Sequence, residues 1–359
     1  MVGRDASMSA PFVTVLIDTY NYGQYIEEAV ESALAQEFPR KQREILVVDD
    51  GSTDDTAERL KKYGDAIRYL RKPNGGQASA FNFGFAEARG EIIATLDADD
   101  LWLPQKLRRV CETFEKHPDT GMVYHRAHMW RGGEVLVDSH FSEVSGCVPE
   151  SCVSLLRYSM VATSCLAFRR SALNKLLPVP EPLRSQADAY LTALIIFVAP
   201  VVALPEFLAK YRVHSANLFH INEDKPAKER IKHRLAMRAV LSTEIRAWLE
   251  RNGYDPASPN LQAYLKQWTK AQEVDSFALA KPSRWSYFRH LLEYPRVYGK
   301  IMSPRHRLYS YIRAFGALLL GYDRLYLLDD LRRGYKGIPG KPARESAFSE
   351  DKTEAAGKN

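Results

Sequence analysis

No apolar run in this chain is long enough to cross a bilayer. The longest, Ala193 to Leu204, is interrupted by Pro200 and falls well short of the roughly 20 residues a spanning helix needs. The opening MVGRDASMSA has no apolar core of the secretory type, so the chain is expected to stay in the cytoplasm. Cysteine is scarce. Cys111, Cys147, Cys152 and Cys165 show no CxxC spacing, which argues against a zinc site or a disulfide framework and for buried free thiols. Neither GxxxxGK[ST] nor GxGxxG occurs, so the common phosphate-cradling glycine loops are missing. An excess of positive charge is nearly missing too: the net charge is +6 over 359 residues, too small to imply a nucleic-acid partner.

What is present is a globular composition, 45% apolar and 26% charged. The length suits one large α/β domain with an appended segment, or two medium domains. The basic character is regional: from Lys281 to Gly340 there are three Lys or Arg for every Asp or Glu, interleaved with Trp285, Tyr287, Phe288, Tyr294, Tyr298 and further aromatics. Residues 341–359 are polar and without periodicity, as expected of a disordered tail.

Period and punctuation give the element order. Phe12–Ile17 is a short apolar run that suits a buried strand. After Asn21-Tyr22-Gly23, Ile26, Ala29, Val30, Ala33 and Leu34 recur at helical spacing. Strands are expected again at Glu44–Val48, Ile67–Leu70 and Glu91–Leu96, separated by helices reaching Tyr63 and carrying Ala78, Phe81, Phe85 and Ala88. This alternation predicts a mostly parallel sheet with helices on both faces. Beyond Gly121 the pattern predicts strands at Met122–His125, Ser164–Phe168, Val201–Ala203 and Leu208–Tyr211. Helices are expected at Glu150–Tyr158, Ala187–Phe197, Lys228–Arg251 and Arg313–Leu331.

Ligands of an open parallel sheet gather beyond the carboxyl ends of its strands. Two acidic groups fall there: Asp49-Asp50 after one strand and Asp97-Ala98-Asp99-Asp100 after another. Helix capping accounts for Asp54, Asp55 and Asp100. It accounts less well for Asp97 and Asp99, which one residue apart suit a hard cation. With no Cys or His set beside them, Mg²⁺ or Mn²⁺ with a substrate diphosphate is the expected occupant.

Four blocks then resemble family 2 glycosyltransferases in order and spacing: Val13-Thr14-Val15-Leu16-Ile17-Asp18-Thr19-Tyr20-Asn21, Glu44 to Asp54 with its Asp-Asp-Gly-Ser core, Asn74-Gly75-Gly76, and Leu96-Asp97-Ala98-Asp99-Asp100. The resemblance continues through Phe168-Arg169-Arg170-Ser171, Ala187-Asp188 and Tyr211-Arg212-Val213-His214-Ser215-Ala216-Asn217. It covers about residues 11–220 and implies a GT-A fold, Rossmann-like; since no strand signal survives beyond Lys225, the domain is expected over residues 11–222, after a flexible stretch at 1–10 and before a helical region at 223–340. It also implies inverting transfer from a nucleotide-diphosphate sugar, a UDP-sugar being favoured. By similarity Thr19 and Tyr20 line the base pocket, Asp50 accepts from the base N–H, and Asn21, Lys72, Asn74 and Ala98 complete the donor set. Asp97 lies near the ribose and diphosphate and shares the metal, Asp99 ligates it, and Asp188 is the general base.

Each role has a plainer rival. Tyr20 suits a core position, Lys72 an exposed turn, and Asp188 the favourable dipole at a helix start. Arg212 and His214 are candidates for acceptor or diphosphate contacts. Two positions depart from the family pattern: Asp18, where Pro is common, and Ala187, where a Glu usually precedes the base. The processive synthases' QxxRW motif is absent, since Gln267-Trp268-Thr269-Lys270 does not fit, so transfer of a single sugar is expected. The acceptor would be a glycan or lipid-linked, in polysaccharide or glycoconjugate biosynthesis at the cell surface. Residues 281–340 suit peripheral contact with the anionic inner face of a membrane, or simply a solvated helical subdomain. Two other functions compete: Mg²⁺-dependent nucleotidyl or phosphoryl transfer, and a catalytically silent scaffold for membrane or assembly.

Overall fold

The computed structural model describes residues 12–131, 133–138, 145–146, 161–214, 227–255, 257–259, 261–262, 264–265, 276, 280, 283–298 and 304–332. The expected N-terminal arm, the helix at Glu150–Tyr158, Cys147, Cys152, residues 215–217 and the tail lie outside them. Two compact units are present, residues 1–281 and 282–359.

In the first unit β1 (Val13–Thr19), α1 (Gly23–Leu34), β2 (Arg43–Asp49), α2 (Thr56–Leu60), β3 (Arg68–Arg71), α3 (Gln77–Glu87) and β4 (Ile92–Asp97) follow the expected alternation. Their strands pair in parallel in the order β3-β2-β1-β4. Then come β5 (Leu101–Trp102), α4 (Lys106–Lys116), β6 (Met122–Arg131), β7 (Glu134–Asp138), β8 (Leu166–Arg169), α5 (Arg170–Leu173), α6 (Ala187–Ile195), β9 (Val201–Arg212) and α7 (Ala227–Arg251). The sheet continues β4-β8-β6-β9-β5, with β7 beside β6. This second half is mixed: β8 runs antiparallel to both β4 and β6, and β9 is parallel to β6.

The sheet is buried on both faces, which is why β1, β2 and β4 are nearly continuous apolar runs. Val13, Val15 and Ile17 face Ile26 and Val30 of α1 and Leu107 and Phe114 of α4. Leu16 and Ile93 face the other way, toward Phe81 and Phe85 of α3 and Tyr190 and Leu191 of α6. Burying each such side chain contributes about 1.5–3 kcal/mol, so both layers are held strongly and the strand ends have little freedom.

Several elements differ from the sequence expectation. Val201–Ala203 and Leu208–Tyr211 belong to one strand, β9, whose register against β6 slips between His125 and Ala127. Pro205 sits at that slip and has no N–H to donate, so pairing bulges there without the strand ending. Asp100 is not a helix cap. It is fully buried and accepts from Ser164 Oγ at 2.6 Å and from the Arg212 N–H at 2.8 Å. Asp54 does behave as a cap: its oxygens accept from the Gly23 N–H that opens α1 and from its own Thr56 N–H.

The second unit contains α8 (Arg284–Tyr298) and α9 (Pro304–Arg332), the latter broken at Gly321, whose φ is 76°. The sequence pattern marks only Arg313–Leu331 of this pair. Phe288 meets Trp285 and Phe315 ring to ring, while Leu308, Ile312 and Leu319 are exposed. Among the described residues no helix is long and apolar enough to cross a membrane.

Candidate functional site

Parallel register brings the carboxyl ends of β1, β2 and β4 to one level. Asp18 stands beside Asp97, and Thr19 beside Asp49. Asp97 closes β4, and the chain then turns through Ala98, with the Asp100 N–H donating to the Asp97 carbonyl. Carboxylate oxygens of Asp97, Asp99 and Asp100 lie within 4.8 Å of one another. Burial, with the neighbouring acids adding to it, pushes the Asp97 and Asp100 carboxyls well above the usual carboxylate range.

The end of β9 closes over this loop. Arg212 Nε donates to the Asp99 carbonyl at 2.7 Å and Nη2 to Glu28 at 2.9 Å. Its guanidinium lies over the rings of Tyr25 and Trp130. His214 Nε2 is 2.8 Å from Asp99 Oδ2, and its ring packs on Tyr25. Both expected diphosphate candidates thus meet at Asp99, Arg212 through its backbone and His214 through its carboxylate.

A second group is built around Asp50. Its carboxylate accepts from Lys72 Nζ at 2.6 Å, Asn74 Nδ2 at 3.0 Å, the Gly75 N–H at 2.9 Å and the Gly76 N–H at 2.7 Å. Its lone pairs are therefore spent on the 72–76 loop, so a base N–H would have to share an oxygen. Lys72 is not the exposed turn lysine of the plainer reading: it also donates to the Pro73 carbonyl and is mostly buried. Gly51 and Gly76 make the turn possible, with φ of 82° and 86°. A Cβ at Gly76 would come within 2.8 Å of the Arg184 backbone.

Between the groups, Asn21 has φ 57° and accepts from the Thr53 N–H at 2.7 Å, tying the β1–α1 loop to the β2 loop. Thr19 and Ala98 are buried, and Tyr20 presents its ring at 45% exposure, which a core aromatic would not do. Asp188, in the first turn of α6, accepts from Thr163 Oγ1 at 3.4 Å, and burial lifts its pKa to about 6. Ala187, without the usual Glu carboxylate, is fully buried and donates its N–H to Gln77 Oε1. Asp18 projects from the same end of β1; burial and then Asp99, Asp188 and Asp50 push it up to about 7. Its Oδ1 is buried with no hydrogen-bond partner.

Sequence reasoning missed Ser164, Lys106 and Arg184, because each reaches the site through tertiary contact and sits in no motif. Arg184 donates to Asn74 Oδ1 at 2.6 Å.

The donor set suits a hard divalent cation: all oxygen, clustered, and partly out of water. Asp100 already uses both oxygens on Ser164 and Arg212, so the ion would fall to Asp97 and Asp99, and Asp99 would share its carboxylate between the ion and His214. Burial raises Asp97 most and repulsion from the neighbouring acids adds to it; such an ion would relieve the repulsion.

Comparison with known proteins agrees with this geometry. The pattern for "Glycosyl transferase family 2" matches residues 14–177. An uncharacterized glycosyltransferase of Nostoc sp. is 31% identical over 300 residues, 80% of this chain and 90% of that protein. An uncharacterized glycosyltransferase of Rickettsia felis is 31% identical over 59% of this chain and only 36% of its own length. Among solved structures, S. aureus TarS residues 1–349 in complex with UDP-GlcNAc aligns with TM-score 0.58 at 19% identity, over 90% of this chain and 92% of that one. The mannosyltransferase PcManGT of Pyrobaculum calidifontis, in complex with GDP-Man and Mn²⁺, aligns with TM-score 0.50 at 20% identity, over 87% and 88%. Fold, strand-end acids and relatives together make this chain a member of the family 2 glycosyltransferases, with a GT-A fold and a transferase's activity.

Proposed function

We propose that the protein transfers a single sugar, with inversion, from a nucleotide-diphosphate donor, a UDP-sugar being favoured, to a glycan or lipid-linked acceptor. The observation that carries the reading is that one turn reaches two kinds of acid, the Asp97–Asp99–Asp100 cluster at the end of β4 and Asp188 at the start of α6: Ser164 meets the Asp97 N–H and the Asp100 carboxylate, and Thr163 meets the Asp188 carboxylate. In this reading residues 11–222 form the catalytic domain, and residues 223–340 the C-terminal helical region.

Asp97 and Asp99 would hold Mg²⁺ or Mn²⁺, which when bound supplies positive charge opposite a departing diphosphate. Arg212 and His214 orient Asp99 from behind. Asp50, Lys72 and Asn74 shape the loop against which the nucleotide rests, and Tyr20 with Thr19 and Asn21 forms the base end of the cleft. Asp188 takes the acceptor hydroxyl's proton. A carboxylate near pKa 6 is ionised at neutral pH yet more basic than an ordinary aspartate, as a general base should be. A long hydrogen bond from Thr163, 3.4 Å, reaches one of its oxygens.

The protein would act at the cytoplasmic face of a membrane, in polysaccharide or glycoconjugate biosynthesis. The exposed Trp285, Leu308, Ile312 and Leu319 amid Arg residues of the second unit support peripheral contact there. Incubation with UDP-, GDP- and dTDP-sugars, Mn²⁺, and lipid-linked or soluble glycan acceptors, read by mass spectrometry, tests the reading. A sugar-elongated product, absent with Asp99→Asn and Asp188→Asn, is expected. Transfer by both variants at the wild-type rate would refute it.

A further inference from the structure

We propose that the buried turn Thr163–Cys165 is a positioning element joining the two halves of the transfer chemistry, with Ser164 setting both ends of the loop that carries the metal-holding acids and Thr163 setting the base. The inference rests on the roles given above to Asp97, Asp99 and Asp188.

The turn lies between β4 and α6 and is inaccessible to water, Thr163 and Cys165 at 2% and Ser164 at 0% exposure. Ser164 Oγ does two things at once: it donates to Asp100 Oδ2 at 2.6 Å and accepts from the Asp97 N–H at 3.0 Å. One hydroxyl therefore fixes the main chain at Asp97 and the carboxylate of Asp100, the two ends of the loop that carries Asp99. Its own carbonyl is pinned from the far side, accepting from Trp102 Nε1 at 2.9 Å and Lys106 Nζ at 2.7 Å.

Lys106 is unusual in its own right. The side chain is fully buried, with the ammonium 3.5 Å over the Trp102 ring, and burial drives its pKa well below the ordinary lysine value. Removing a lysine from water is costly, and no part of the proposed chemistry uses it directly. Its contacts assign it to the turn: it anchors Ser164, and beyond Ser164 lies Asp100.

The neighbouring residue faces the base. The Thr163 carbonyl accepts from Thr95 Oγ1 at 2.7 Å, two residues before Asp97 on β4, and Thr163 Oγ1 reaches Asp188 Oδ2 at 3.4 Å. That last bond is long for a hydroxyl donor, so its effect should be small but directional. A hydrogen bond to an ionised carboxylate lowers its pKa. The charged groups facing Asp188 across the cleft are Asp18 on β1 and Asp97 on β4. Acids far apart in sequence are thus held in fixed relation by two consecutive side chains.

A merely structural turn would, when damaged, impair everything together, whereas a positioning turn separates its two effects. In the full chain, Ser164→Ala should raise the Mn²⁺ concentration for half-maximal binding, followed by electron paramagnetic resonance of free Mn²⁺ in the presence of UDP, about tenfold. It should leave the Asp188 titration in place. Thr163→Val should move that titration upward by about half a pH unit and leave Mn²⁺ binding unchanged, with Thr163→Ser restoring the wild-type value. The titration is read from ¹³C-carboxyl NMR, assigned with Asp188→Asn.

Lys106→Met gives an independent measure should Ser164→Ala fold poorly. Loss of the anchor should weaken Mn²⁺ binding, whereas a purely electrostatic lysine would, once removed, strengthen it. Unchanged Mn²⁺ binding in folded Ser164→Ala, stronger binding in Lys106→Met, or joint shifts in both readouts overturns the inference. Asp99→Asn separates the two levels. If it binds Mn²⁺ with UDP as the wild type does, the site reading itself fails; if it does not, only the role of the turn is at issue.

Discussion

Replacing the proposed base should make the protein more stable while destroying its activity. Burial raises Asp188 from the ordinary 3.8 to about 6, a difference equivalent to about 3 kcal/mol as an upper bound. The sign follows from which state holds the proton. Below pH 3.8 the group is protonated whether the chain is folded or not, and it costs nothing. Between 3.8 and 6 the unfolded chain releases the proton and the fold retains it, so stability falls as pH rises, until the whole penalty is felt above 6. Asn has nearly the same shape and no charge to bury. Asp188→Asn should therefore exceed the wild type in urea-unfolding stability at pH 8 by up to about 3 kcal/mol, with the gap closing toward pH 4 in metal-free buffer. The same variant should lose at least about 100-fold in transfer rate, and the wild-type rate should rise with pH through a limb near 6. A variant less stable than wild type at pH 8, or a gap that ignores pH, would refute the reasoning.

Three further outcomes follow from the site. Asp99→Asn should lose the Mn²⁺ dependence of UDP binding measured by calorimetry, because one of the two acids proposed to hold the ion loses its charge. Lys72→Ala removes a 2.6 Å partner of Asp50 and loosens the 72–76 loop; donor KM should rise about tenfold with kcat little changed, since a binding surface is lost and no reacting group. Gly76→Ala forces a side chain into φ 86° and against the Arg184 backbone; thermal denaturation should show a loss of about 1–3 kcal/mol.

The parallel half of the sheet was legible in the sequence because its strands are buried on both faces, which writes them as unbroken apolar runs between glycine and aspartate breaks. The cluster of Asp97 and Asp99 was legible because a strand end is a local feature, whereas Asp188 was singled out by the family resemblance and its local reading was only that of a helix-start acid. The antiparallel half was harder. Glu134–Asp138 pairs with the adjacent β6 as a hairpin, Leu101–Trp102 is a strand only by virtue of a partner far along the chain, and the slip at Pro205 reads locally as a break although β6 carries β9 through it.

The sequence by itself determined the alternation of strand and helix, the family, and which acids stand at strand ends. Tertiary structure alone decided what those acids do for one another. Asp100 reads as a helix cap until Ser164 and Arg212 claim it, Lys72 reads as a surface residue until Asp50 takes it, and Lys106 and Ser164 carry no local signal at all. The reason is physical: backbone periodicity and turn chemistry act over a few residues, whereas hydrogen bonds and charge in a buried cleft depend on which distant segments packing brings together.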